Sequence, residues 1–233
     1  MDNRILLVDD EESIRKFLRI SLQAHGYQVL EAACGADAVE LIQKEKPDAV
    51  ILDMGLPDVS GLDVTRAVRS WSWVPILFLS VVDQERTKVE ALEAGADDYM
   101  VKPFGLQELL ARLKAALRRK MVVPTQGPLA YGDISMNIER RLVTVAERAV
   151  SLTPTEFSLL HVLLRQPERV VHHRDLLNEV WGPAYVEELQ LLRVNVSNLR
   201  KKIEGKTTTP ERILNEPGVG YRLSCPSMSS KQP

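Results

Sequence analysis

Short apolar runs alternate with stretches of helical periodicity through the first 120 residues. In one such stretch Ile14, Leu18 and Leu22 recur at the spacing of a single helix face. The apolar runs lie at 4–8, 28–31, 49–52, 75–79 and 99–101. Because these runs are continuous rather than alternating, they are typical of strands covered on both faces by helices. Residues 1–120 are therefore predicted to form an α/β domain with a doubly wound, five-stranded parallel sheet.

The pattern changes beyond residue 120. Two prolines and a glycine at 121–128 break the preceding helix and predict a linker. Residues 129–151 have the alternation of short strands. Further predicted elements are helices at 154–165, 173–180 and 187–204 and a hairpin at 213–223. Residues 129–225 should thus form a smaller α+β domain, followed by a disordered polar tail at 226–233.

The composition of the chain excludes several classes of protein. Charged residues make up 27% of the chain and no apolar window reaches 18 residues, which excludes a membrane span. The N-terminus lacks the features of a secretory signal, so a cytoplasmic location is expected. Two cysteines are too few for a disulfide framework or a structural zinc site. Residues 1–120 carry 16 Lys/Arg and 20 Asp/Glu, and residues 121–233 carry 14 and 12, which suggests different partners for the two halves.

Polar residues follow the apolar runs at their carboxyl ends. Asp9 and Asp10 follow the first run, Asp53 the third, Ser80 the fourth and Lys102 the fifth. The carboxyl ends of parallel strands share one edge of a sheet, so these five side chains are predicted to converge.

Such a cluster has a definite chemistry. Three carboxylates repel one another unless a cation neutralises them, and hard oxygen ligands favour Mg²⁺. Lys102 and Ser80 can hold the oxygens of a phosphoryl group, while one carboxylate acts as the nucleophile. The alternative is that the acids merely end their strands in solvent.

Three motifs in this half resemble the receiver domain of two-component response regulators: 6–11 (LLVDDE), 53–61 (DMGLPDVSG) and 95–104 (GADDYMVKPF). The resemblance implies that Asp53 accepts phosphate from a sensor histidine kinase. It also implies that Asp9, Asp10, Asp53 and the backbone carbonyl of Gly55 hold Mg²⁺. Ser80 and Tyr99 would be a switch pair, and Lys102 would precede Pro103 in a cis bond.

The same resemblance implies a homodimer of phosphorylated receivers. The face that would pair comprises Lys88, Val89, Leu92, Asp98, Glu108, Leu110 and Arg112. In such a dimer Lys88 would meet Glu108, and Asp98 would meet Arg112, across the interface.

A helix predicted at 187–204 is a candidate for DNA recognition. One face carries the apolar residues that should be buried, namely Leu189, Leu192, Val196, Leu199 and Ile203. The remaining surface carries amide, hydroxyl and cationic groups suited to bases and phosphates, namely Gln190, Arg193, Ser197, Asn198, Arg200, Lys201 and Lys202. It also carries one apolar residue, Val194, whose methyl groups could meet a thymine methyl. The alternative is an ordinary solvated helix face.

The order of helices and hairpin around it is that of a winged helix-turn-helix. Residues 152–160, 174–181 and 218–223 resemble the output domain of the OmpR/PhoB family. That resemblance implies promoter DNA and RNA polymerase as partners, with Arg222 as a further phosphate contact. Two finer motifs, at 69–76 and 180–185, are similar to the branch of the family that controls potassium-transport genes.

These observations predict a transcription factor, not an enzyme, that is activated by phosphorylation. One alternative is a constitutive DNA-binding regulator, against which the complete acid set argues. Another is a Mg²⁺-dependent phosphohydrolase with an Asp nucleophile. Such enzymes usually carry a second carboxylate two positions after the nucleophile, where this chain has Gly55.

Overall fold

The first 120 residues form a parallel sheet flanked by helices. In this computed structural model, which describes residues 3–120, 128–205 and 209–225, the sheet order is β2-β1-β3-β4-β5. The strands are β1 Arg4–Val8, β2 Gln28–Ala32, β3 Ala49–Asp53, β4 Ile76–Ser80 and β5 Asp98–Val101. The helices are α1 Glu12–Ala24, α2 Gly35–Glu45, α3 Gly61–Arg69, α4 Glu85–Glu93 and α5 Leu106–Lys120.

Burial explains why the strand sequences are continuously apolar. Every residue of β3 and β4 is buried, because helices cover both faces of the sheet. One large core cluster joins Leu7, Ile51 and Leu79 of the sheet to Leu18 of α1 and Leu113 of α5. Complete burial of each such side chain stabilises the fold by about 1.5–3 kcal/mol. The core fixes the strands side by side, so their carboxyl ends line up.

The chain divides after Lys120 into two compact units. In the second unit the described strands are β6 Leu129–Tyr131, β7 Ile134–Asn137, β8 Leu142–Val145, β9 Arg148–Val150, β10 Val170–His172, β11 Ile213–Glu216 and β12 Gly220–Leu223. The helices are α6 Pro154–Leu164, α7 His173–Val180 and α8 Leu189–Ile203, with a short 3₁₀ helix at Pro183–Tyr185. Strands β6 to β9 form one antiparallel sheet, and β10-β12-β11 form another.

Helix α6 begins with a capping box. The Thr153 hydroxyl accepts a hydrogen bond from the backbone N–H of Glu156, and the Glu156 carboxylate accepts one from the backbone N–H of Thr153. Pro154 occupies the first turn, where its missing N–H costs nothing. These contacts fix the start of the helix at the position that the sequence predicts.

The predicted fold class is confirmed: a five-stranded parallel α/β domain precedes a winged-helix domain. The predicted linker at 121–128 lies almost wholly outside the described residues, as does the predicted tail at 226–233. Within the described ranges, no helix is long and apolar enough to cross a membrane.

Candidate functional site

One lysine joins two buried acids at the carboxyl edge of the parallel sheet. The Nζ atom of Lys102 lies 2.7 Å from Oδ2 of Asp9 and 2.6 Å from Oδ1 of Asp53. Asp9 directly follows β1, Asp53 ends β3 and Lys102 directly follows β5, so three separate strands position this triad. All three side chains are largely buried. The convergence expected from a parallel sheet is therefore present for these residues.

The charge state of Lys102 follows from this geometry. Burial acts to lower the pKa of its ammonium group, but hydrogen bonds to Asp53 and Asp9 outweigh burial and raise the pKa above 10.5. Lys102 is therefore positively charged at neutral pH, opposite two carboxylates. Charge-assisted hydrogen bonds of this kind are about twice as strong as neutral ones.

The other oxygens of the two acids bind backbone amides. Oδ1 of Asp9 accepts a hydrogen bond from the N–H of Glu11, and Oδ2 of Asp53 accepts one from the N–H of Gly55. Asp10 is exposed. Among the residues that the structure describes, no three His, Cys, Asp or Glu side chains are grouped as a metal site. The structure thus differs from the predicted three-acid cluster, because the ammonium of Lys102 lies between two of the acids and the third faces solvent.

Ser80 and Tyr99 both contact Val82. The Ser80 hydroxyl accepts a hydrogen bond from the Val82 N–H at 3.1 Å, and the Tyr99 hydroxyl donates one to the Val82 carbonyl at 2.5 Å. Tyr99 is buried in β5, and this burial raises the pKa of its phenol. The segment after β4 is therefore held by both residues of the predicted switch pair. Next to the triad, Lys102 and Pro103 are joined by the expected cis bond.

Sequence reasoning missed Asp58, which lies in the loop after the phosphate-accepting candidate Asp53. Its carboxylate oxygens accept hydrogen bonds from the N–H groups of Gly35 and Ala36 at 2.8 and 2.9 Å. These bonds lower the pKa of Asp58. Cys34 precedes the helix without capping it by its own side chain, so the loop after Asp53 supplies the cap of α2. Helix caps are normally local in sequence, and this one spans more than 20 residues, so no motif could have revealed it.

Charged residues on the predicted dimer face pair within one chain. Arg112 lies 3.0 Å from Asp98, which is buried, and 2.8 Å from Glu108. Leu92 and Leu110 are buried as well, while Lys88 and Val89 are partly exposed. Within one chain, α5 brings Arg112 close enough to bond Asp98 at the start of β5. The pairing of Asp98 with Arg112 across a dimer stays a prediction.

Helix α8 is the candidate for DNA recognition. More of its side chains are buried than the predicted apolar face contains. Val194 and Asn198 were predicted to face DNA, yet only 7% and 8% of their surfaces are exposed. Leu189 was predicted to be buried but is 38% exposed at the first turn. The strip that remains exposed runs along one side of the helix through Arg193, Ser197 and Lys201, with Gln190 partly exposed beside it.

Three cations that were predicted to meet DNA have partners within the second unit. Arg200 donates two hydrogen bonds to the carbonyl of Ile213 at the start of the hairpin. Lys202 binds the buried carboxylate of Glu156 at 2.6 Å. Arg222 binds Glu216 at 2.9 Å and Glu168 at 3.2 Å. The contacts of Lys202 with Glu156 and of Arg222 with Glu168 join segments that are far apart in the sequence. The side chains of Arg193 and Lys201 are exposed.

Comparison with known proteins gives both units a family. Residues 5–114 match the model of the response regulator receiver domain, and residues 147–223 match the model of the transcriptional regulatory protein C-terminal domain. The chain is 43% identical over 220 residues to the KDP operon transcriptional regulatory protein KdpE of Escherichia coli K12, covering 94% of this chain and 98% of that protein. This chain belongs to the two-component response regulators of the OmpR/PhoB type.

Other members of the family match this response regulator over nearly its whole length. The response regulator MprA of Mycolicibacterium vanbaalenii is 43% identical over 229 residues, which cover 96% of this chain and 98% of MprA. The structure of DrrB, an OmpR/PhoB homologue from Thermotoga maritima, is 29% identical with a TM-score of 0.52 and covers 96% of this chain and all of its own. The response regulator is thus a DNA-binding regulator of transcription, similar to KdpE.

Proposed function

We propose that Asp53 accepts a phosphoryl group from a sensor histidine kinase and that the phosphorylated chain binds promoter DNA as a dimer. The observation that carries this proposal is the Lys102 bridge, which places an ammonium group 2.6 Å from one oxygen of Asp53. A carboxylate that ends a buried strand beside a fixed cation suits the acceptance of an anionic group.

Asp53, Lys102 and Ser80 would each have a separate role in the transfer of the phosphoryl group. An oxygen of Asp53 attacks phosphorus, the P–N bond to the kinase histidine breaks, and the leaving nitrogen keeps the electron pair and takes a proton. Lys102 stabilises the charge on the phosphoryl oxygens, because its ammonium is already desolvated and aimed at the acceptor. Ser80 ends the adjacent strand β4, and its hydroxyl can donate a hydrogen bond to another phosphoryl oxygen.

The donor set at this edge fits Mg²⁺, which favours carboxylate and carbonyl oxygens. Asp9 and Asp53 both bind the ammonium group of Lys102, and Asp10, which is exposed, follows Asp9 in the sequence. These three acids and the carbonyl of Gly55 would hold the ion. Mg²⁺ bound there would neutralise the acids and the incoming phosphate.

Phosphorylation would then act through Ser80 and Tyr99 on the dimer face. A dimer places two recognition helices on adjacent half-sites, so its DNA affinity exceeds that of a monomer through bivalence. We propose that the regulator works in the cytoplasm with RNA polymerase and controls potassium-transport genes. Support for these genes comes from the similarity to KdpE, which is named as the regulator of the KDP operon.

The Asp53→Asn variant tests the acceptor. An amide is a poor nucleophile, so incubation with acetyl phosphate and Mg²⁺ should leave its intact mass unchanged, whereas the wild-type chain gains one phosphoryl group. Asp58→Asn is the matched control, because Asp58 lies in the loop that follows Asp53 but caps α2. Phosphate on the Asp53→Asn chain would contradict the assignment.

Gel filtration with and without beryllofluoride tests the second step. Beryllofluoride should convert the monomer to a dimer and raise its affinity for DNA. Equal DNA affinity in both states would instead favour a constitutive regulator.

A further inference from the structure

Helix α8 and the hairpin of β11 and β12, called the wing below, share an unusual set of contacts. Both polar backbone groups of Ile213, the first residue of the wing, bind side chains of α8 or its C-terminal cap. Nε and Nη2 of Arg200 donate to its carbonyl oxygen at 2.9 and 2.6 Å. Its N–H donates to Oε1 of Glu204 at 2.9 Å. A side chain of α8 and the side chain of its C-terminal cap therefore bind the two backbone groups of one residue of the wing.

Further contacts strengthen the same junction. Oε2 of Glu204 accepts a hydrogen bond from the N–H of Glu211 at 2.6 Å, just before the wing begins. The guanidinium of Arg200 also lies 5.5 Å from the ring centre of Tyr221, on the other strand of the wing. That distance is within the range of a cation–π interaction. Arg200 thus contacts both strands of the hairpin.

We infer that Arg200 and Glu204 are positioning residues for DNA binding, which hold the recognition helix and the wing as one rigid body. Neither acts as a DNA contact in this role. The guanidinium of Arg200 already binds Ile213 and Tyr221, which competes with binding to a phosphate. Glu204 carries the same charge as DNA, so its contribution must be indirect.

The positioning role has a physical reason. A DNA-binding surface made of the exposed strip of α8 and the wing binds tightly only when both parts are held in place before association. Ile213 is completely buried in the intact domain, so its two backbone groups depend on these side chains for their hydrogen bonds. Loss of either partner should therefore loosen the junction.

The salt dependence of DNA affinity and the charge of the mutated residue distinguish a positioning role from a direct contact with DNA. If Arg200 neutralised a phosphate, Arg200→Gln would reduce the slope of log affinity against log salt by about 0.9, and Arg200→Lys would restore both slope and affinity. In a positioning role, Arg200→Gln lowers affinity with the slope unchanged. Arg200→Lys fails to restore it, because a lysine lacks the planar fork that makes two bonds to one carbonyl.

Glu204 gives a test of opposite sign. On charge alone, removal of a carboxylate near DNA tightens binding, whereas the positioning role predicts that Glu204→Ala weakens it roughly tenfold. Glu211→Ala is the matched control, since it removes a nearby exposed carboxylate whose side chain takes no part in the junction contacts described above. That control should bind DNA as well as wild type or slightly better.

The experiment is fluorescence anisotropy of the full-length chain with labelled duplex DNA of mixed sequence, titrated at several salt concentrations. The wild-type chain is measured in parallel. If it does not bind DNA, the DNA-binding function fails; if it binds and the variants behave otherwise than stated, only this inference fails. Thermal unfolding of each variant sets an assay temperature at which it is folded. If Glu204→Ala is unfolded, Glu204→Gln replaces it with the same expected sign. Full rescue by Arg200→Lys, or tighter binding by the Glu204 variant, would overturn the inference.

Discussion

The hydroxyl of Tyr99 donates a hydrogen bond to the carbonyl of Val82, and the N–H of the same Val82 donates to the hydroxyl of Ser80. Both residues of the predicted switch pair therefore bind the backbone of the same residue, and a direct hydrogen bond also joins their hydroxyl groups. Tyr99 is already buried in this structure. A phosphoryl group on Asp53 that accepts a hydrogen bond from the Ser80 hydroxyl would shift Val82, and this shift would change the hydrogen bond of Tyr99.

Tyr99→Phe removes both hydrogen bonds of the hydroxyl while it keeps the ring. We expect phosphoryl uptake from acetyl phosphate to be unchanged, because Tyr99 makes no hydrogen bond to the Lys102 triad in the described contacts. Phosphorylation should produce less dimer in gel filtration, and stability should fall by about 1 kcal/mol for each hydrogen bond lost. Normal dimer formation by the phosphorylated variant would show that Val82 does not transmit the signal.

Val81 should slow loss of the phosphoryl group. Val81 follows Ser80 directly at the carboxyl edge of the sheet, and 74% of its surface is exposed. We expect its branched side chain to hinder the water that would attack the phosphoryl group. Val81→Ala opens this approach and should shorten the half-life of the phosphorylated chain several-fold. Val82→Ala keeps both backbone bonds of Val82 and should have the same direction of effect. Unchanged half-lives in both variants, followed by mass spectrometry, would refute the steric argument.

The turn of the wing is predicted to contribute little to DNA affinity. Pro217 starts the turn, Gly218 adopts a left-handed conformation there, and Glu216 is paired with Arg222. Pro217→Arg adds a cation, so it should tighten binding to specific and unrelated DNA alike and steepen the salt slope by up to about one unit. Pro217→Ala is the control without charge. A large loss of specificity in the Arg variant would mean that the turn reads sequence.

The stability of the second unit should fall in mild acid. Burial, with a smaller effect of Arg165, holds the pKa of His161 below 6.5. As the pH falls below about 6.5, the unfolded chain takes up a proton that the folded chain does not, and unfolding becomes more favourable until the folded pKa is reached. His161→Gln should reduce this loss in thermal unfolding measured against pH. The exposed His172→Gln serves as control, and an equal effect of both changes would contradict the assignment.

The sequence predicted the strands of the parallel sheet to within one residue, because their apolar runs are continuous and bounded by polar residues. It also predicted the approach of Asp9, Asp53 and Lys102, since the topology of a parallel sheet brings those strand ends together. The burial of helix α8 was predicted less well. Helical periodicity reports one buried face, whereas Val194 and Asn198 lie outside that face and are buried too.

Cations were the least predictable part of the candidate site. Lys202 and Arg222 look like DNA contacts when only their neighbours in sequence are considered. Their partners include Glu156, which is 46 positions from Lys202, and Glu168, which is 54 positions from Arg222. An ion pair between residues so far apart in the sequence depends on tertiary packing. The local sequence pattern therefore could not distinguish an intramolecular ion pair from a contact with a DNA phosphate.

The cap that Asp58 gives to α2 makes the two flanks of the proposed phosphate-accepting site unequal. On one flank, the loop after Asp53 is tied to a helix end by two hydrogen bonds, and a side chain at Gly35 would collide with Val59 in that loop. Movement on this flank would break the cap. We therefore expect a chemical change at Asp53 to act on the opposite flank, where Val82 bonds both Ser80 and Tyr99, and not on the flank that Asp58 fixes.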